Sequence, residues 1–179
     1  MKIAFVADVH GNLEALLSVK KSLKNEGADE VLFLGDIVGY GASPNECIDI
    51  AREISDTVLA GNHDWASIGK SSTYNFNPIA RDALQWTTDT LTRDNKKFLF
   101  FLPLKGERGN ILFVHATPQH PEIWDYIVTA DDADKSFSQF LQPLCFIAHS
   151  HFPIIFIQNE KGAVASQRAS HLTIKTGRR

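Results

Sequence analysis

Short apolar runs alternate with longer amphipathic stretches along this chain. Residues 2–7 (KIAFVA), 30–35 (EVLFLG), 57–60 (TVLA), 111–116 (ILFVHA) and 144–151 (LCFIAHSH) are apolar runs of strand length. Between the first two, Leu13, Leu16, Leu17 and Leu23 recur near helical spacing. Glu14 stands in the first turn, Lys20, Lys21 and Lys24 toward the end, and Gly27 as a stop, a charge order that suits a helix dipole. Ser43-Pro44-Asn45-Glu46 predicts a second helix, with Ser43 as N-cap, Pro44 in the first turn, Glu46 closing a capping box, and an end near Ile54. Asn77-Pro78 opens another helical segment, and residues 95–102 predict a short helix stopped by Pro103. A helix around residues 132–142 is expected before the last core strand, and residues 153–158 and 171–175 are expected to form a terminal antiparallel pair. The strand–helix–strand order of the first third predicts a parallel sheet with right-handed crossovers. With no repeat, low-complexity tract or linker in view, residues 1–179 are expected to form a single domain.

Composition narrows the reading. A chain of 179 residues with 44% hydrophobic and 22% charged residues can bury an ordinary core. Its net charge of −3 provides no basic field, so nucleic acid is not an expected partner. The apolar run before Asp8 is too short for a secretory core, and no stretch reaches membrane-span length, so a cytoplasmic location without membrane contact is expected. Cys47 and Cys145 lie in apolar surroundings and are expected to be buried free thiols.

The chemistry concentrates where strands end. The five core strands deliver, in order, Asp8 and His10; Asp36; Gly61-Asn62-His63-Asp64; His115; and His149 with His151. Singly, each has an ordinary explanation: Asp8 could cap a helix, Asp36 and the GNHD stretch could be turn residues, and an isolated histidine is usually structural. Together they would require five separate accidents at equivalent positions, on the side of an open sheet where ligands bind. Five of the seven histidines belong to this set. A donor set of Asp, Asn and His without Cys suits Mn, Fe, Ni, Zn or Co rather than a structural zinc cage. The number of donors suits two ions, the arrangement that activates a bridging water and neutralises phosphoryl oxygens in phosphoester hydrolysis.

These blocks (D8-V-H10, G35-D36, G61-N62-H63-D64, H115 and H149-S-H151) resemble, in order and approximate spacing, the calcineurin-like metallophosphoesterase superfamily, and in particular its bacterial phosphodiesterase-like branch with GDIVGYG. The resemblance implies an α/β fold, a β-sandwich flanked by helices in α/β/β/α layers. It also implies two divalent metal ions, one held by Asp8, His10 and His151, the other by Asn62, His115 and His149, with Asp36 bridging. It makes His63 the catalytic group at the leaving oxygen, with Asn62, His63 and, more weakly, Tyr40 as substrate contacts. The expected activity is hydrolysis of phosphodiesters or small phosphorylated metabolites by metal-bridging hydroxide. Two alternatives are a non-catalytic metal-binding scaffold and a nuclease or dinucleoside polyphosphate hydrolase. The full ligand set with His63 weighs against the scaffold, and the charge weighs against a nuclease. Gly39-Tyr40-Gly41 replaces the Asp-Arg-Gly of related protein phosphatases, which disfavours that substrate class. Asp64 either orients His63 or faces away and caps a turn. Residues 117–130 bring His120, Trp124 and Tyr126 as further candidates to line a site. Relatives carry further strands beyond the position of Arg179, and an open edge there would invite a homodimer.

Overall fold

The structure is a computed structural model that describes residues 1–55, 57–168 and 173. It is a mixed α/β fold whose chain divides into two compact units, Met1–Leu104 and Lys105–Arg179.

The first unit begins with β1 (Ile3–Val6), α1 (Leu13–Glu26), β2 (Glu30–Phe33), α2 (Pro44–Ile54) and β3 (Thr57–Val58). The three strands form one parallel sheet in the order β1-β2-β3, as the alternation predicts, with Ile3 opposite Glu30 and Leu32 opposite Thr57. Three helices complete the unit: α3 (Asn62–Ser67), α4 (Pro78–Thr90) and α5 (Arg93–Phe100). Asn12 caps α1 by accepting from the Ala15 N–H, and Gly27 ends the helix in the left-handed region, at φ 63°. Leu16 is buried and Leu13 and Leu23 pack on the core, but Leu17 is 49% exposed. At about 100° per residue, Leu17 lies beyond the edge of the stripe that Leu16 and Leu23 define.

Ser43 does precede α2 with Pro44 in its first turn, yet the expected capping box is absent. The Ser43 N–H that Glu46 would accept donates instead to the Gly11 carbonyl, at 3.1 Å. That bond ties the start of α2 to the loop after β1. The core lies where α1 and α2 cover the sheet, with Phe33, Ile37, Val38, Cys47, Ile48 and Leu99 fully buried.

The second unit contains β4 (Lys105–Arg108), β5 (Ile111–Val114), α6 (Ala130–Phe137), β6 (Leu144–Phe146), β7 (Ile155–Gln158) and β8 (Val164–Gln167). β5 pairs antiparallel with β4 and parallel with β6. β7 pairs antiparallel with β8. The expected partner strand at residues 171–175 lies outside the described residues except for Thr173. α6 starts earlier and ends sooner than the predicted 132–142, because Thr129 and Asp132 build a capping box at its first turn. Cys47 is buried and Cys145 only half-buried, both as free thiols. Among the described residues no helix is long and apolar enough to cross a membrane.

Candidate metal centre

In the first unit the loops that follow the three strands are laced together by backbone. The loop after β1 donates to the loop after β2 three times: Asp8 N–H to the Gly35 carbonyl (3.1 Å), His10 to Asp36 (2.9 Å) and Gly11 to Ile37 (2.8 Å). The loop after β2 is then fastened to the start of α3 through Asp64. Its two carboxylate oxygens accept from four backbone N–H groups: Asp36 (2.8 Å), Gly61 (2.9 Å), Ile37 (3.0 Å) and Val38 (3.2 Å). Asp64 is 0% exposed. Of the two roles open to it in the sequence, the backbone cap is therefore the one these four bonds perform.

The GNHD stretch is not a plain turn. Asn62 and His63 open α3, both buried, and the His63 backbone N–H donates to Asp36 Oδ1 at 2.9 Å. A Cβ built on Gly61 would collide with that same Asp36 oxygen. Gly61 has φ −103°, so the glycine is needed for space and not for backbone conformation. Similarly, a Cβ on Gly39 would sit 2.5 Å from His63 Nδ1, so the first glycine of Gly39-Tyr40-Gly41 admits the imidazole.

His10, Asp36 and His63 come together, one donor atom from each lying within 4.8 Å of the others. His10 Nε2 stands 3.7 Å from Asp36 Oδ2, and its Nδ1 lies 3.2 Å from the Val38 carbonyl. A carbonyl only accepts, so that bond puts a ring proton on Nδ1, and Nε2 is the nitrogen that faces the carboxylate. Tyr40 is 47% exposed, with its ring centroid 5.1 Å from that of His10 and 4.8 Å from that of His63. Phe76 meets His63 edge-on at 4.9 Å. Little marks this residue beforehand beyond its being an aromatic within a polar loop, STYNFNP.

In the second unit, His115 follows β5 and is fully buried, and its carbonyl accepts from the Ala148 N–H at 2.9 Å. This pins the loop that carries His149 and His151. The His115 and His149 rings lie 5.0 Å apart. His149 is buried, whereas His151 is exposed. His149 Nε2 lies 2.9 Å from the Trp124 carbonyl, and the Tyr126 ring stacks on its imidazole at 4.0 Å and 16°. His120 is exposed, with Nδ1 3.4 Å from a Glu122 carboxylate oxygen. The two histidines of HSH are thus presented from a loop, not from one face of a strand.

Backbone strain marks the same residues. Eight non-glycine residues among those described have left-handed φ, and five of them (Asp8, His10, Asp36, His149 and His151) are predicted ligands. Such conformations cost about 1–3 kcal/mol each and persist where surrounding contacts enforce them, which is common at functional sites.

Buried imidazoles and carboxylates at the ends of parallel strands define, as a class, an α/β protein able to hold a metal ion. Carboxylate and imidazole donors with no thiolate among them fit a borderline divalent cation. The chain belongs to the calcineurin-like phosphoesterase family, whose model matches residues 1–172. It is 42% identical over 166 residues to an uncharacterized protein of Methanocaldococcus jannaschii, covering 89% of this chain and 65% of that protein. The chain thus spans slightly less than two thirds of that relative's length. A metallophosphoesterase from Sphaerobacter thermophilus superposes with TM-score 0.78 and 39% identity, over 95% of this chain and 69% of the other. A hypothetical protein from Pyrococcus horikoshii OT3 shares the fold, with TM-score 0.66 and 22% identity, over 84% of this chain and 70% of that one.

Proposed function

We propose that this protein is a dinuclear metal-dependent phosphoesterase acting on phosphodiesters or small phosphorylated metabolites. Asp8, His10 and His151 are the proposed ligands of one divalent ion, Asn62, His115 and His149 those of the other, and Asp36 the ligand they share. When bound, the two ions supply Lewis acidity to water and to the phosphoryl oxygens.

The remaining chemistry falls to the chain itself. His63 donates a proton to the leaving oxygen as its bond to phosphorus breaks, while the incoming water bonds to phosphorus through its oxygen and releases a proton that offsets the one His63 gave. Asn62 and Tyr40 contact the substrate and hold it in line. The observation that most strongly supports this reading is the pinning of His63. Its backbone N–H is bonded to the Asp36 carboxylate, and its ring lies in the same group as His10 and Asp36. Gly39 leaves room for that ring.

The test separates proton transfer from metal binding. His63→Ala is expected to leave metal content near wild type and to lower turnover of an alkyl phosphoester by about 10²–10⁴-fold. The loss should shrink on a nitrophenyl ester, whose leaving group needs little protonation. Unchanged turnover on the alkyl ester would refute the acid role.

A further inference from the structure

We propose that Trp124 and Tyr126 are positioning residues that lock His149 as its Nε2–H tautomer and present Nδ1 as the metal-binding atom. The inference rests on the proposed function in one respect, that His149 is a ligand.

Two contacts carry it. The Trp124 carbonyl lies 2.9 Å from His149 Nε2, and a carbonyl oxygen has no proton to give. Nε2 must therefore donate, so in the neutral ring the lone pair resides on Nδ1. Only the unprotonated nitrogen of a neutral imidazole can bind a cation, and the partner of the other nitrogen decides which one that is. His10 shows the opposite choice in the first unit, with Nδ1 held by the Val38 carbonyl and Nε2 facing the Asp36 carboxylate.

The second contact fixes the ring plane. Tyr126 lies nearly parallel to the imidazole, at 4.0 Å and 16°. A half-turn of the ring would carry Nε2 away from the Trp124 carbonyl. A tilt out of plane would drive the ring into the Tyr126 face. The segment that supplies both contacts is itself held in an uncommon conformation. Trp124 has φ 63°, and the preceding 3-10 turn, Pro121–Ile123, is fastened by Ile123 N–H to the His120 carbonyl at 2.9 Å. A bulky aromatic residue in the left-handed region needs surrounding contacts to keep it there, and here it aims its carbonyl at His149. Tyr126 remains 58% exposed, so it does little for the core, and a purely structural role would predict little effect from trimming it.

The test uses the full chain, wild type beside Tyr126→Ala and Tyr126→Phe. Long-range ¹H–¹⁵N spectra of the metal-free protein, recorded alkaline of the imidazole range, report the tautomer directly. Wild type and Tyr126→Phe are expected to show His149 as the Nε2–H form, and Tyr126→Ala a mixture of both. Titration with Co²⁺, followed by calorimetry and by its visible absorption, is expected to show the weaker of two sites loosened by about 10-fold in Tyr126→Ala and within about 2-fold of wild type in Tyr126→Phe. An Nδ1–H tautomer in wild type would overturn the proposal, as would a Tyr126→Ala protein that binds Co²⁺ like wild type. Should wild type bind no Co²⁺ while His149 is the Nε2–H form, the metal reading fails and the tautomer lock stands as a structural device.

Discussion

Removing the Asp64 carboxylate should unfasten the strand-end loops of the first unit. Its oxygens satisfy four backbone N–H groups in a site with no solvent access, at 2.8, 2.9, 3.0 and 3.2 Å. A hydrogen bond to a charged acceptor is worth about 1.5–3 kcal/mol, and each donor left buried without a partner costs about 1–3 kcal/mol. The four losses overlap, because a relaxed loop can admit water to several donors at once. A net destabilisation of about 4 kcal/mol for Asp64→Ala is therefore expected, well above the typical cost of a point substitution. Asp64→Asn keeps one oxygen and its two bonds but turns an amide N–H₂ toward the other two donors, which should cost about 2–3 kcal/mol. With a urea slope of about 2 kcal/mol per molar, the unfolding midpoint should fall by about 2 M for Ala and about 1–1.5 M for Asn. Tryptophan fluorescence of the metal-free chain would follow the transition. A midpoint shift below about 0.5 M for Asp64→Ala would refute the bracing role. If Asp64 instead served to orient His63, Asp64→Asn would slow turnover while leaving the midpoint in place.

Two further perturbations follow from the same geometry. Gly61→Ala puts a methyl group onto Asp36 Oδ1, so the carboxylate must rotate away; the metal content recovered on reconstitution should fall, and an unaltered content would show that the carboxylate has room to spare. Burial, with Glu46 and Glu14 adding to it, pushes the Cys47 thiol up to about 12, so between the ordinary thiol value and that point the folded protein keeps Cys47 protonated. Alkylation in this window should therefore be slow in the native protein and fast in urea, and rapid native labelling of Cys47 would contradict its burial.

Much of this architecture is legible in the sequence because its signals are local. Pro44 and Asn77 mark helix starts that form where expected, and Gly27 ends α1 as a left-handed cap, whereas α1 is capped by Asn12 and not by Asp8. The parallel order β1-β2-β3 follows from runs that are continuously apolar. What was missed depends on partners that the local hydrophobic pattern does not reveal. β4 reads KGER and has no apolar pattern; it pairs with β5 through backbone, and Gly106 lies under the Phe113 ring. The Ser43 capping box fails because Gly11, far along the chain, takes the N–H the box requires. GNHD looks like a turn in isolation and becomes a helix start once Asp64 reaches across to the loop after β2. The residue types of the proposed ligands are readable from their places at strand ends. The ring nitrogen that His10 or His149 would offer is not, since it turns on the carbonyls of Val38 and Trp124.

The proposed chemistry requires that this chain hold two divalent ions. Elemental analysis of the protein after reconstitution with Mn²⁺ and removal of free metal tests it most directly. A content approaching two equivalents per chain is expected, falling toward one in Asn62→Ala. One equivalent or fewer in the wild-type protein would contradict it.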